Sequence, residues 1–305
     1  MQNNPLHCDP ETGVCELPSA QNQEYTGPIE AGKKPVRIIY FTDPICSTCW
    51  GIEPQLRKLK LEYGHLVDIE YRMGGLLPDW TYNSGGISKP SDVAPHWDEV
   101  SRYYQMPIVG DVWITDPLHS SYPPSIAFKA AQMQDETRAI AFLRRIREMV
   151  FIEKKNITRW EHLAEAAENA GLNAETLKQD CETRANDAFQ ADLQLAAQWG
   201  VRGFPTLFFV DGSGAHEKVY GFKPYQMFEN AVAKMQSGAQ KNWYSKNWQD
   251  LFNQFPTLTT KEFAELTGHT FEAADQQLHA LQKEGFLKSF VTENGILWKY
   301  TSLSK

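Results

Sequence analysis

The stretch Asp43-Pro44-Ile45-Cys46-Ser47-Thr48-Cys49-Trp50 carries two of the five cysteines of a 305-residue chain, spaced Cys-x-x-Cys. Ahead of it, Val36-Arg37-Ile38-Ile39-Tyr40-Phe41 is rich in β-branched and aromatic residues and reads as a buried strand. Behind it, Ile52, Leu56, Leu59 and Tyr63 recur at helical spacing, so Trp50 to Tyr63 reads as a helix. The cysteines therefore fall where a strand ends and a helix begins. A helix N-terminus offers free backbone N–H groups and partial positive charge. Cys46 is accordingly expected to be exposed and to titrate below the free value of about 8.5. Cys49, one turn on and buried, is placed to resolve a mixed disulfide. The competing reading is half of a zinc site, but a closed zinc needs four ligands and no second pair has a knuckle's spacing. Pro54 sits inside the helical pattern, where it removes a hydrogen bond and crowds the preceding turn.

Outward from this stretch, Val67 to Met73 alternates as a half-buried strand and stops at Gly74, Gly75 and Pro78. Residues 79 to 121 hold turn formers and scattered aromatics (Trp80, Tyr82, Trp97, Tyr103, Tyr104, Trp113). They read as a loop-rich cover with a helix near 96 to 105, the aromatics either packing a core or lining a groove near the thiols. Helices are expected over Ser125 to Gln134, Glu136 to Phe151, Thr158 to Ala170 behind a capping-box-like Thr158-Arg159-Trp160-Glu161, and Ala174 to Trp199 with a break near Asn186. Cys181, alone in the last, reads as a small buried apolar residue. Then come Gly203-Phe204-Pro205-Thr206-Leu207, a strand to Val210, the turn Asp211 to Gly214, a strand from Lys218 to Phe222, and a helix from Tyr225 to Met235 opened by Pro224.

The cysteine turn, the kinking Pro54 and the Gly-Phe-Pro-Thr-Leu run together resemble the thioredoxin superfamily. The long helical insert between the second strand and the proline loop narrows the resemblance to the DsbA family. Trp50, Glu53, Pro54 and Lys154-Lys155-Asn156-Ile157-Thr158 resemble its cytosolic branch, which includes polyketide-pathway oxidoreductases and the Spx adaptors (YjbH, also called SpxH). The likeness covers about residues 35 to 300. It implies an α/β thioredoxin-like fold with a DsbA-like helical insertion, and a cis Pro205 loop that faces the cysteines and offers backbone groups to a peptide. Cys46 and Cys49 become the catalytic pair, with Phe204, Pro205 and Trp50 binding substrate and Phe204 narrowing the groove. DsbA's histidine between the cysteines is replaced here by Ser47 and Thr48, so its strong thiolate stabilisation does not carry over. Relatives that isomerise chromene carboxylates use serine for the first cysteine, which argues against that activity.

The expected domains are an irregular N-terminal arm (1–34), a DsbA-like domain (35–240) with its insert at about 79–199, and a C-terminal unit (241–305). In the arm, Cys8 and Cys15 flank Pro10 and Gly13. Three readings stay open: a second disulfide or a dithiol exchanging with Cys46 and Cys49, two uninvolved thiols, or a metal site helped by His7 and Asp9. The C-terminal unit reads as a helix from Trp243 to Phe255, a helix capped at Thr259 or Thr260, another capped at Thr270, and a type I′ hairpin at Glu293-Asn294-Gly295. That is a winged-helix-like order, but Glu272 and Asp275 on its second helix and the absence of arginine after residue 250 argue for protein docking or simple packing rather than DNA.

A net charge of −8 argues against nucleic-acid and anionic-membrane partners. No basic, apolar leader opens the sequence, so the cytoplasm is expected. Arg202 is a solvated surface residue or a thiolate partner. The leading expectation is a thiol–disulfide oxidoreductase acting on protein or small-molecule disulfides without cofactor or metal. The alternative is a non-catalytic adaptor that presents a regulator to a ClpXP-type protease.

Overall fold

The computed structural model describes residues 8–9, 13–16, 33–81 and 87–301. The readings made on His7, Pro10 and Tyr82 lie outside them. Numbered along the chain, the arm holds β1 (Cys8–Asp9) and β2 (Val14–Glu16), and the core sheet begins with β3 (Val36–Thr42). All of β3 but Arg37 is buried, as its unbroken apolar run requires. α1 (Ser47–Gly51) and α2 (Glu53–Tyr63) follow. The helix expected as one piece is two, because Pro54 cannot donate to the Trp50 carbonyl and its ring crowds it. β4 (Val67–Met73) then pairs in parallel with β3, from Val36 opposite Val67 to Thr42 opposite Met73.

The insert comprises α3 (Val93–Tyr104), α4 (Val112–Thr115), α5 (Tyr122–Gln134), α6 (Glu136–Phe151), α7 (Trp160–Asn169), α8 (Ala174–Glu182) and α9 (Ala185–Gln198). Asp135 caps α6 by accepting from the Arg138 N–H, and Phe142, Leu143, Ile146 and Val150 bury one stripe. The box expected at Thr158 does not form. Asn156 Oδ1 accepts both the N–H and the hydroxyl of Thr158, and α7 starts two residues later. The break expected near Asn186 falls at Thr183–Arg184, between α8 and α9. Buried Asp192 of α9 ties the insert to the sheet, accepting from the Met73 N–H and pairing with Arg72 and Lys129.

β5 (Gly203–Phe204) precedes β6 (Thr206–Val210), β7 (His216–Tyr220) and α10 (Tyr225–Met235). The core sheet runs β4-β3-β6-β7, with β6 antiparallel to both β3 and β7. The arm's two strands form a second small sheet with β5, in the order β1-β2-β5. Where it is described, the arm expected to be irregular holds two paired strands that carry its cysteines; strands of two and three residues are too short to leave a period in sequence.

Past α10 the chain forms α11 (Trp248–Gln254), β8 (Thr257–Thr259), α12 (Thr260–Thr267), α13 (Phe271–Lys283), β9 (Leu287–Thr292) and β10 (Gly295–Tyr300), with the sheet ordered β8-β10-β9. α11 begins at Trp248 behind an Asn247 cap, five residues later than expected, and Trp243 is 87% exposed. Thr259 and Glu262 make a capping box on α12, and Thr270 caps α13. The hairpin turn is Glu293–Asn294, neither with positive φ, so it is not type I′; Gly295 takes the positive φ instead. These elements close on their own apolar cluster around Leu251, Phe252, Phe263, Leu278 and Trp298. They meet the larger core through Glu262, fully buried between Arg57 and Arg144.

Candidate functional site

The end of β3 delivers Asp43 into the interior. Its carboxylate accepts from the N–H groups of Ile45 and Leu76 and from the Ser121 hydroxyl, at 3.0, 2.8 and 2.8 Å. One side chain thereby fixes the cysteine turn against the loop after β4 and the start of α5. Burial pushes Asp43 up to about 6, with those three donors and Arg147 holding it from going higher.

Cys46 occupies the N-cap of α1 in an extended conformation, and its sulfur accepts from the Cys49 N–H at 3.2 Å. Both thiols are free and fully buried. This corrects the expectation of an exposed, acidified Cys46. Burial raises the Cys46 thiol well above its ordinary value, and the adjoining Cys49 and Asp43 add to the rise. Burial also acts upward on Cys49, but its hydrogen bond with Cys46, the Arg147 charge, Thr42 and Tyr40 outweigh it and bring that thiol down. Of the two thiols, Cys49 is therefore the one whose surroundings favour the thiolate.

Arg147 of α6 is the residue that sequence reading missed. It is fully buried, with Nη1 on Glu53 Oε1 at 2.6 Å and Nη2 donating to Thr42 Oγ1 at 2.6 Å and to the Asp43 carbonyl at 3.2 Å. Its signal was positional: it falls four residues after Leu143 and three before Val150, on the apolar stripe where a solvated arginine has no place.

The Phe204–Pro205 bond is cis. The Phe204 side chain does not narrow a groove, because it packs against Gly74, where a Cβ would lie 1.8 Å from its ring. What Phe204 presents is backbone, and that backbone is taken. β2 pairs antiparallel with β5, Cys15 opposite Phe204 and Glu16 opposite Gly203. Gly13 O accepts from the Phe222 N–H at 2.7 Å. Gly13 has φ +65° and no room for a Cβ, which would meet Phe222 at 2.5 Å, so only glycine permits this stitch. Trp50 does not line a groove either. It is fully buried, donates to the Pro107 carbonyl at 3.1 Å, and stacks between Phe151 and the Arg144 guanidinium. Arg202 is exposed, and Cys181 is half-buried.

The arm brings a third sulfur to the pair. Cys15 Sγ lies 3.5 Å from Cys46 Sγ and 3.4 Å from Thr48 Oγ1. Cys15 is disulfide-bonded and has no S–H to give. The Thr48 hydroxyl therefore donates to it while accepting from Tyr104 OH at 2.9 Å. Cys8 stands opposite Cys15 in the β1–β2 register, and it is the cysteine of the sequence that remains once the free Cys46, Cys49 and Cys181 are set aside.

A family model described as Thioredoxin matches residues 40–230. The ClpXP adapter protein SpxH of Halalkalibacterium halodurans is 31% identical over 97% of this chain and 98% of its own. Among solved structures, the cytosolic disulfide reductase DsbM of Pseudomonas aeruginosa covers 66% of this chain and 100% of its own at 22% identity, with a TM-score of 0.54. A DsbA-like oxidoreductase of Streptomyces coelicolor covers 69% and 94% at 17% identity, with a TM-score of 0.52.

Proposed function

We propose that this chain, which belongs to the thioredoxin family and within it to the DsbA-like group that includes the Spx adaptors, is an adaptor that presents a regulator protein to a ClpXP-type protease in the cytoplasm. One observation carries the reading: the similarity to an adapter runs the length of both chains, so it takes in the C-terminal unit that lies beyond residues 40–230. The oxidoreductases match only about two thirds of the chain, and that likeness speaks for the fold. Sequence reading alone favours thiol chemistry; the full-length similarity turns the balance to the adaptor. Among the described residues no helix is long and apolar enough to cross a membrane. The C-terminal unit, expected from sequence to be winged-helix-like, is the docking module in this reading. Its strand β9, at the edge of the sheet among the described residues, leaves Phe290 and Val291 exposed at 47% and 66%, an edge of the kind partners add to.

The test reconstitutes degradation of an Spx-type regulator by purified ClpXP with and without this chain. Faster turnover in its presence supports the adaptor, and unchanged turnover removes it. A second reading, an oxidoreductase, is favoured by the placement of Arg147 against a buried dithiol. The Cys46→Ser/Cys49→Ser variant separates the two. An adaptor keeps its effect on the regulator, whereas an oxidoreductase loses it together with all disulfide exchange.

A further inference from the structure

The peptide position of the cis-proline loop is filled by the chain's own arm, and the residue seated there is half of a disulfide. β2 lies antiparallel to Gly203–Phe204, held at Phe204 by ladder bonds and at Phe222 by the Gly13 carbonyl. Cys15 and Cys46 are both fully buried, so no outside disulfide reaches Cys46 while the arm is docked. The 3.5 Å between Cys15 Sγ and Cys46 Sγ is the distance of a nucleophile waiting on its electrophile. The Thr48 hydroxyl, 3.4 Å from Cys15 Sγ, is placed to steady that sulfur when it leaves.

We propose that the arm cysteines are a second redox centre and the built-in partner of Cys46 and Cys49, the two pairs exchanging one disulfide within the molecule. Cys46 passes its proton to Cys49 and attacks Cys15 Sγ. The bond between Cys8 and Cys15 breaks, and the Cys8 sulfur leaves as a thiolate that takes a proton from water. Cys49 gives its proton to the hydroxide left by that step and attacks Cys46 Sγ, releasing Cys15 as a thiolate that takes a proton from water. Two electrons pass from the Cys46/Cys49 dithiol to the arm, one disulfide is lost and one formed, and no outside oxidant enters. This inference goes beyond the adaptor reading and does not depend on it.

The experiment uses the full-length protein, with the arm oxidised and Cys46/Cys49 reduced, held anaerobically with iodoacetamide in its native state. It is then acid-quenched, digested and mapped by mass spectrometry without reduction. If the pairs exchange, the alkylator traps Cys8 and Cys15 as they are freed and a Cys46–Cys49 disulfide appears. In Cys49→Ser, a peptide joining residues 15 and 46 accumulates with alkylated Cys8. In Cys46→Ser, the arm disulfide stays intact. Cys181→Ser behaves as wild type. The proposal is overturned if Cys46 and Cys49 are alkylated while the arm disulfide survives, in the wild type or in Cys49→Ser. The wild-type measurement stands even if a variant fails to fold.

Discussion

Two arginines on α6, three residues apart, do different work: Arg144 is half-buried and Arg147 fully buried. Arg144 meets Glu262 through two contacts, at 2.7 and 3.0 Å, and Glu148 at 2.7 Å, with its guanidinium over the Trp50 ring. Its charge is answered by carboxylates, and it joins the C-terminal unit to the core. Arg147 has one carboxylate, Glu53; its other contacts are to neutral oxygens, and its Nε has no hydrogen-bond partner. Part of its charge is left for Cys49. An arginine fully paired with carboxylates welds, and a buried, underpaired one adjusts the acidity of its neighbour.

The largest effect should come from breaking the weld. Glu262→Ala takes from Arg57 its carboxylate partner and leaves Arg144 with Glu148 alone, at a cost of about 3 kcal/mol. Denaturant unfolding measures it, and a loss below about 1 kcal/mol would show that water replaces the carboxylate. It would also recast the C-terminal unit as loosely held.

Asp43 comes next. Its folded value of about 6 lies above the unfolded value near 4, so the folded chain holds that proton more tightly. Its contribution is complete below about pH 4 and is lost as pH rises through about 6, some 3 kcal/mol in all. The wild type should therefore lose stability relative to Asp43→Asn between pH 4 and pH 7. A gain over that window would mean that the three donors on Asp43, not burial, dominate.

Arg147→Met should cost about 2 kcal/mol through its hydrogen bonds to Glu53 and Thr42. Its sharper readout is chemical. The pH profile of Cys49 alkylation should move to the alkaline side, since the charge that lowers this thiol is gone. An unmoved profile would assign Arg147 to structure alone. Smallest in stability, within about 0.5 kcal/mol, is Phe290→Glu on the exposed edge of β9. That change should nonetheless abolish hand-off of the regulator if this edge is the docking surface, and unaltered degradation would move the surface elsewhere.

Much of this architecture was readable from residues, and the failures have causes. β4, α6 and α10 match expectation to the residue because period, caps and stops agree there. The helix expected from Trp243 was over-read, since an aromatic in sequence does not reveal whether anything covers it. The cis-proline loop and the thiol pair could each be located, but not what fills the space between them. Ladder pairing of Cys15 with Phe204 joins positions almost two hundred residues apart, and no local pattern encodes it. The acidity of Cys46 was misread for the same reason: the helix end was visible, and the arm that dries it was not.

Gly13 and β2 also set a concentration. A segment bound to a site on its own chain competes with free ligands at an effective concentration of roughly millimolar. A free peptide of equal intrinsic affinity for the Gly203–Phe204 edge would thus need roughly millimolar levels to displace the arm from half the molecules. Gly13→Ala, which puts a methyl group 2.5 Å from Phe222, should lower that threshold and speed alkylation of Cys46 by a thiol reagent. Access to the thiols is then governed by the strength with which one glycine lets the chain hold itself.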